Sequence, residues 1–217
     1  METPQHPPKQ ARSRHTLHRL LSATEALLEH GGLEAATVPA IAEAAGVSVG
    51  VVYRRFPDKD ALLRLVYERF FTQIGESNRA RLESLAQMHL PLNAVAQGFV
   101  LGMAEGYRRK RGLLRALTRY ARTHPDPEFR RTAHRMNRIT MNIIVSILLA
   151  YRDEIRHPNP EEAIEFGLLA VASVLQNVVL EEQTMGLHVP KNLDHELVHL
   201  FFGYLGIDVT PPGKPSQ

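Results

Sequence analysis

Residues Thr37–Leu62 read TVPAIAEAAGVSVGVVYRRFPDKDAL, and the fold is decided in this stretch. The Thr37 hydroxyl suits a helix N-cap, and Pro39 is tolerated in a first turn because that turn's N–H groups have no intrahelical partner. Val38, Ile41, Ala42 and Ala45 then fall on one face. Gly46 ends this short helix, since glycine accepts the left-handed conformation that closes helices. Ser48 is placed to cap a second short helix, on which Val49, Val52, Tyr53 and Phe56 lie on or near one side. Pro57 breaks that helix. Asp58 caps a longer one carrying Ala61, Leu62, Leu65, Val66, Phe70 and Phe71. Two short helices separated by Gly46-Val47-Ser48 are the sequence form of a helix-turn-helix. Val47 suits a plug in the angle between them, and the small Ala42 and Ala45 let the second helix come close.

What the second helix leaves outside carries the functional hint. Val52 and Phe56 are its natural inward anchors, so Ser48, Val49, Gly50, Val51, Tyr53, Arg54 and Arg55 cannot all be core. Gly50 costs a helix about 1 kcal/mol relative to alanine. Close approach of a phosphate or groove wall is one reason to accept that cost, and packing of helix on helix is the other.

Together, Thr37, the Ile41-Ala42 and Ala45-Gly46-Val47-Ser48 segments, the Gly50-x-x-Tyr53-x-x-Phe56 spacing and Asp58-Lys59-Asp60 resemble the TetR family of bacterial repressors. The resemblance covers roughly Arg12 to Tyr67. It implies that Thr37, Tyr53 and Lys59 touch DNA phosphates, for which hydroxyl, phenol and ammonium are all suitable donors. A helix cap, a half-buried tyrosine and a solvated lysine are the structural alternatives. Ser48, Val49, Val51 and Arg54 match groove-facing positions, with Gly50 among them. Here the sequence departs from the family pattern, which often has a polar residue at the Val49 position and Thr or Ala at the Val51 position. Exposed valines suit thymine methyl groups, and Arg54 suits either a guanine edge or a phosphate. The resemblance further implies a homodimer on a (pseudo)palindromic double-stranded DNA operator, and a small-molecule effector bound by the carboxy-terminal helices. It implies a ligand-responsive repressor first and an activator second.

Working outward, helical periodicity dominates the chain. A first helix is expected over about 10–30, stopped by Gly31-Gly32. Pro91 opens a helix to about Arg109, and Gly112 kinks or separates its continuation to Arg122. Asp126-Pro127 and Asn159-Pro160 each place a cap residue before proline. They open helices to about Ile155 and about Leu180, and a last helix spans about 191–205. The expected fold is all-α: a three-helix helix-turn-helix domain over 10–57 and a larger helical ligand-binding and dimerisation domain over 58–206. A flexible arm (1–9) and a flexible tail (207–217) flank them. Phe166, Leu169, Val174, Val178, Leu197, Phe201 and Tyr204 are candidates for pairing with a second copy. Phe99, Met103, Tyr107, Met136, Met141, Leu148 and Gln176 suit a pocket wall or ordinary core, so no ligand-binding residue is assigned.

Composition bounds the alternatives. With 44% hydrophobic and 23% charged residues, the 217-residue chain reads as globular. It has no cysteine, which excludes disulfides, thiolate zinc sites and a cysteine nucleophile. The net charge of +3 says little about nucleic acid, and distribution says more. Lys9, Arg12, Arg14, His15, His18 and Arg19 make a basic start, with no acid between Thr3 and Thr24. A second run, from Arg108 to Arg138, reads first as solvated helix faces and second as a surface for phosphates or anionic lipid. Met1–Pro8 is polar and proline-rich, unlike a secretory leader. Ile143–Ala150, read as the longest apolar stretch, is short of the ~20 residues a membrane span needs. A cytoplasmic protein without a membrane partner is expected. His195 and His199, with Asp194, have helical spacing for a metal but lack a third ligand, and a surface or interface pair is the better reading. No metal, cofactor or catalytic residue is expected. An all-helical enzyme or a lipid-surface protein is the remaining alternative.

Overall fold

A computed structural model describes residues 9–208, and among these the chain is helical throughout with no strand. The helices are α1 (Lys9–Ala35), α2 (Val38–Ala44), α3 (Val49–Tyr53), α4 (Lys59–Gln87), α5 (Leu92–Arg109), α6 (Arg111–Thr123), α7 (Pro127–Leu149), α8 (Pro160–Leu175) and α9 (Leu193–Leu205). A 3-10 turn (Arg152–Glu154) follows α7, and a π turn (Gln176–Leu180) continues α8.

The boundaries have local causes. In α1, Gly32 takes φ 66° and ψ −161°, so the glycine pair does interrupt the helix. A further turn nevertheless runs on to Ala35, past the expected stop. Asp58 caps α4, its Oδ1 accepting from Ala61 N–H at 2.8 Å. Asp126 caps α7 in the same way, accepting from Glu128 N–H at 2.8 Å. Asn159 precedes α8 without a side-chain cap bond, so there the proline alone marks the start. The break between α5 and α6 falls at Lys110, with φ −120° and ψ 35°, rather than at Gly112. Helix α7 ends before the expected Ile155. Ala150 and Tyr151 donate to Ile147 and Leu148, three residues back, which tightens the chain into the 3-10 turn.

The chain divides into two compact units. The first comprises residues up to Phe71 together with Gly112–Arg130, and so takes in the start of α4 and nearly all of α6. It is larger than the 10–57 segment expected from sequence. Its buried side chains explain why. Leu62, Val66 and Tyr67 of α4 are buried, as are Leu113, Leu117 and Phe129. Tyr67 and Phe129 meet edge-on at 5.4 Å. Gly112 lies so close to α1 that a Cβ on it would stand 1.8 Å from the Glu29 carbonyl oxygen. Glu29 returns the approach by accepting from the N–H groups of Gly112 (3.1 Å) and Leu113 (2.9 Å) at the start of α6.

The second unit comprises Thr72–Arg111 and the chain from Arg131 onward. Phe99, Val100, Ile144, Leu148, Ile164, Leu168, Phe201 and Leu205 belong to its core. Helix α9 packs on both α5 and α8. The expected tail begins later than 207, because Ile207 is buried in this core and Asp208 pairs with Arg156. Lys9 likewise starts α1 instead of ending a loose arm. The remainder of the expected arm and tail lies outside the described residues. Pro160–Leu180 spans 21 residues at mean hydropathy 1.8 and is long and apolar enough, by length and composition, to cross a membrane. It exceeds Ile143–Ala150, which had read as the longest apolar stretch. Part of its apolar content serves the core: Ala163, Ile164, Leu168, Val171 and Leu175 are buried, while Phe166 and Leu169 are exposed.

Candidate nucleic-acid interface

The helix-turn-helix is built as the residues dictate. Thr37 is extended, and its Oγ1 accepts from Ala40 N–H at 3.3 Å, capping α2. At the other end Gly46 adopts φ 61°. Gly46 N–H donates to Glu43 O and Val47 N–H to Ala42 O, both at 2.9 Å. That pair of bonds is the closing motif in which a left-handed residue satisfies the last helical carbonyls. The chain then turns into α3. Ser48 is extended at its start but makes no side-chain cap bond, contrary to the sequence expectation, so its hydroxyl stays available. Val52 and Phe56 are buried and hold α3 down, as their spacing required.

The outward face then follows. Ser48, Val49, Gly50, Tyr53 and Arg54 are exposed and Val51 is half-buried. Tyr53 is 54% exposed, a large fraction for an aromatic on a short helix with two buried anchors. A Cβ on Gly50 would meet nothing nearer than Ser48 Oγ, at 3.9 Å. Packing within the chain therefore does not explain this glycine. Thr37 is exposed beside the same turn and keeps its hydroxyl proton free, since its cap role uses only the acceptor. Lys59 differs from the rest: its Nζ donates to Leu33 O at 2.8 Å and closes the end of α1.

Two arginines that sequence reasoning did not single out for this role clasp α1 to the motif. Arg19 donates to Gly46 O at 3.0 Å, and Arg55 to Ser13 Oγ at 3.0 Å. The second bond holds the start of α1 by the end of α3, and Arg12, Arg14, His15 and His18 project from that part of α1 as exposed side chains. Each bond joins residues 27 or 42 positions apart, and neither has a local signal in the sequence.

Behind the motif, α4 and α6 are joined by a polar cluster. Asp60 Oδ1 accepts from Tyr120 Oη (2.6 Å) and lies 2.9 Å from His124 Nε2, while Oδ2 accepts from Arg64 Nε at 2.7 Å. Arg64 also donates to Asp126 Oδ2 at 2.8 Å and stands over the Phe129 ring. Asp126 N–H donates to His124 Nδ1 at 3.1 Å, so the ring is the tautomer with its proton on Nε2, directed at Asp60. Burial alone would raise the Asp60 pKa. Hydrogen bonds from Tyr120, Arg64 and His124 outweigh it and lower the value to about 2. Burial, and then the bond to Asp60, pushes the Tyr120 phenol well above its ordinary value.

In the second unit, part of the arginine run is structural. Arg108 pairs with Asp194 through two bonds (2.6 and 2.5 Å), and Arg111 pairs with Glu182. Arg131, Arg135 and Arg138 are exposed along α7. His195 and His199 are exposed, and Asp194 is engaged by Arg108. Among the described residues no group of three His, Asp or Glu side chains is arranged to hold a metal. Of the pocket-wall candidates, Phe99 and Leu148 are buried core, while Met103, Tyr107 and Met141 pack partly buried against it.

Residues 20–66 match the family model described as bacterial regulatory proteins, tetR family. The chain is 34% identical over 84 residues to the HTH-type transcriptional regulator BetI of Serratia proteamaculans, covering 39% of this chain and 41% of that protein. It is 40% identical over 81 residues to the HTH-type transcriptional repressor KstR of Rhodococcus jostii, covering 36% and 38%. These matches thus span about two fifths of the relatives' own length. The fold is shared over nearly the whole chain with Thermus thermophilus FadR, a TetR-family repressor solved in complex with lauroyl-CoA. The TM-score there is 0.61 at 22% identity, covering 93% of this chain and 98% of that one. The capped and clasped helix-turn-helix coincides with the family match: residues 20–66 form a domain similar to the tetR family of bacterial regulatory proteins, set in an all-helical fold shared with FadR.

Proposed function

We propose that this protein is a sequence-specific, DNA-binding transcriptional regulator, a homodimeric repressor of a (pseudo)palindromic operator that a small molecule releases. The observation that carries this reading is the outward face of α3, where Ser48, Val49, Gly50, Tyr53 and Arg54 are exposed above the buried Val52 and Phe56. In this reading α3 enters a major groove. Val49, Val51 and Arg54 meet base edges, Ser48 sits at the entrance, and Gly50 lets the backbone come near. Thr37 and Tyr53 donate to phosphates. Lys59 keeps two of its three N–H groups for the same purpose while holding Leu33 O.

One helix-turn-helix covers too few base pairs for a specific site, so paired half-sites about one turn (~34 Å) apart call for a dimer. Phe166 and Leu169 of α8, and Leu200 and Tyr204 of α9, are exposed, and the Phe166 and Tyr204 rings lie 5.1 Å apart. They form an apolar face for a second copy. Leu197 and Phe201, also candidates by sequence, are spent on the chain's own core. Regulation by a small molecule has support in the lauroyl-CoA complex of the FadR neighbour, and repression in the names of KstR and FadR. A cytoplasmic location follows from work on chromosomal DNA.

The deciding experiment is a genome-wide pull-down of bound DNA fragments, followed by affinity against salt at the best site. Specific binding should fall steeply with salt yet stay ~10³-fold or more above random DNA. Val51→Ser should shift preference at thymine-bearing positions. A purified protein that holds all duplexes equally, its own upstream region included, overturns the reading.

A further inference from the structure

We propose that the cleft between the end of α5, the π turn and the 189–193 segment is an effector site for an amphipathic oxyanion, a carboxylate or phosphate on an aliphatic tail; this rests on the reading of the protein as ligand-regulated. The cleft has a volume of about 410 Å³. That falls in the range of ~300–1,000 Å³ typical of small-molecule sites. Its wall has two chemistries. Arg108, Arg111 and Lys191 supply three cations, and Val178, Val179 and Leu193 supply an aliphatic side. The acids that pair with the two arginines, Asp194 and Glu182, do not line the cleft. Lys191 is exposed and has no salt bridge among the described residues. With both arginines ion-paired, Lys191 supplies the charge that is not offset, and a cation beside aliphatic carbon favours an anion with an apolar body over a cation or a bare polar solute.

The backbone around the cleft is irregular where it need not be. Val178 and Val179 sit in the π turn, a form that recurs at functional sites because its extra residue re-aims side chains. Two non-glycine residues of the adjoining loop, Glu182 (φ 54°) and Met185 (φ 52°), occupy the left-handed region. Such conformations persist where other contacts hold them. Glu182 is held by Arg111. An incoming oxyanion competes with Glu182 for that guanidinium. Displacing the carboxylate loosens one hold on the loop, which the Gln183 N–H bond to Asn177 O (2.9 Å) also anchors, and on which Met185 and Leu187 are 92% and 68% exposed. The loosened loop can then fold these apolar side chains over an aliphatic tail.

The test uses the full chain and four probes below their micelle-forming concentrations: dodecanoate, dodecyl phosphate, dodecanol and dodecyltrimethylammonium. Calorimetric titration should show saturable binding of one anion per chain, with dodecanol and the cation at least about tenfold weaker. Comparing dodecanoate with dodecyl phosphate identifies the head group. Lys191→Gln and Arg111→Gln should each weaken the anions by roughly tenfold to a hundredfold, the worth of one charged hydrogen bond, and leave dodecanol unchanged. Lys191→Gln, which breaks no salt bridge among the described residues, keeps the test valid if Arg111→Gln proves unstable. Equal binding of the cation, uptake that does not saturate, or anion affinity untouched by both variants overturns the site. Operator binding by the ligand-free protein is measured in parallel. If DNA is bound but no anion is, only the effector site fails; if DNA is ignored, the regulatory reading fails.

Discussion

Asp60 shows how one side chain ties stability to pH. Its folded pKa of about 2 lies below the ordinary 3.8, so the folded state holds the charged form more tightly than the unfolded chain does. The stabilisation is fully present above about pH 4 and is lost as pH falls toward 2. Because the side chain is 43% exposed, solvent screening trims the contribution to on the order of 1 kcal/mol. Asp60→Asn should therefore flatten the acid limb of a stability curve between pH 4 and 2, read by urea melts at several pH values. An unchanged limb would mean the carboxylate does not carry it. Gly112 makes a harder claim. Any Cβ there collides with the backbone of Glu29, which cannot swing aside as a side-chain end can. Gly112→Ala should cost roughly 1–3 kcal/mol, seen as a lowered Tm. Neither residue announced itself in the sequence: Asp60 read only as part of a helix start, and Gly112 as a kink.

Among the elements, α2 and α3 were the most legible. Their ends are written in local chemistry, and the structure uses the threonine cap and the left-handed glycine where expected, while α3 stops at Tyr53, four residues short of Pro57. Ser48 is a further exception, standing at the cap position with its hydroxyl unused. The end of α7 was less legible, because no residue type marks the 3-10 turn that replaces the expected helix to Ile155, whereas α8 with its π turn does stop at the expected Leu180. The clasping bonds of Arg19 and Arg55 were invisible for the same reason. Two substitutions divide structural from DNA-contact roles. Thr37→Asp keeps an acceptor for Ala40 N–H but turns a donor into a negative charge. Tm should hold while operator affinity drops about tenfold or more. Lys59→Met removes the bond to Leu33 O and should lower stability by about 1–2 kcal/mol. If the lysine also meets a phosphate, the slope of log affinity against log salt should lessen by ~0.9; stability loss with an unaltered slope would assign it to the helix end alone.

For the molecule as a whole, periodicity was enough to specify an all-helical chain, and the Gly46-Val47-Ser48 turn a helix-turn-helix at its front. The division between its units was not readable. Sequence reasoning cut the chain once, at Pro57, because a proline is a visible boundary; the actual division follows buried side chains distributed over two separate segments. The exposed faces of α8 and α9 carry the prediction at this scale. Leu169→Glu sets a charge on a side chain that is 61% exposed in the single chain, so folding should be spared. Sedimentation should show a dimer for the parent and a monomer for the variant, with operator affinity lost in step. A monomeric parent that still binds its operator tightly would remove the dimer from the account.

The chain passes between the two units three times: after Phe71, after Arg111 and after Arg130. Transplanting the front of this protein onto the back of a relative therefore cannot be done with one splice. A fragment ending near Phe71 lacks Leu113, Leu117 and Tyr120, leaves Tyr67 without Phe129, and strips the Asp60 carboxylate of two of its partners. Such a fragment should be sticky and poorly folded. Under the proposed function, a hybrid that keeps this chain's operator preference and answers another signal must carry residues 112–130 along with the first segment.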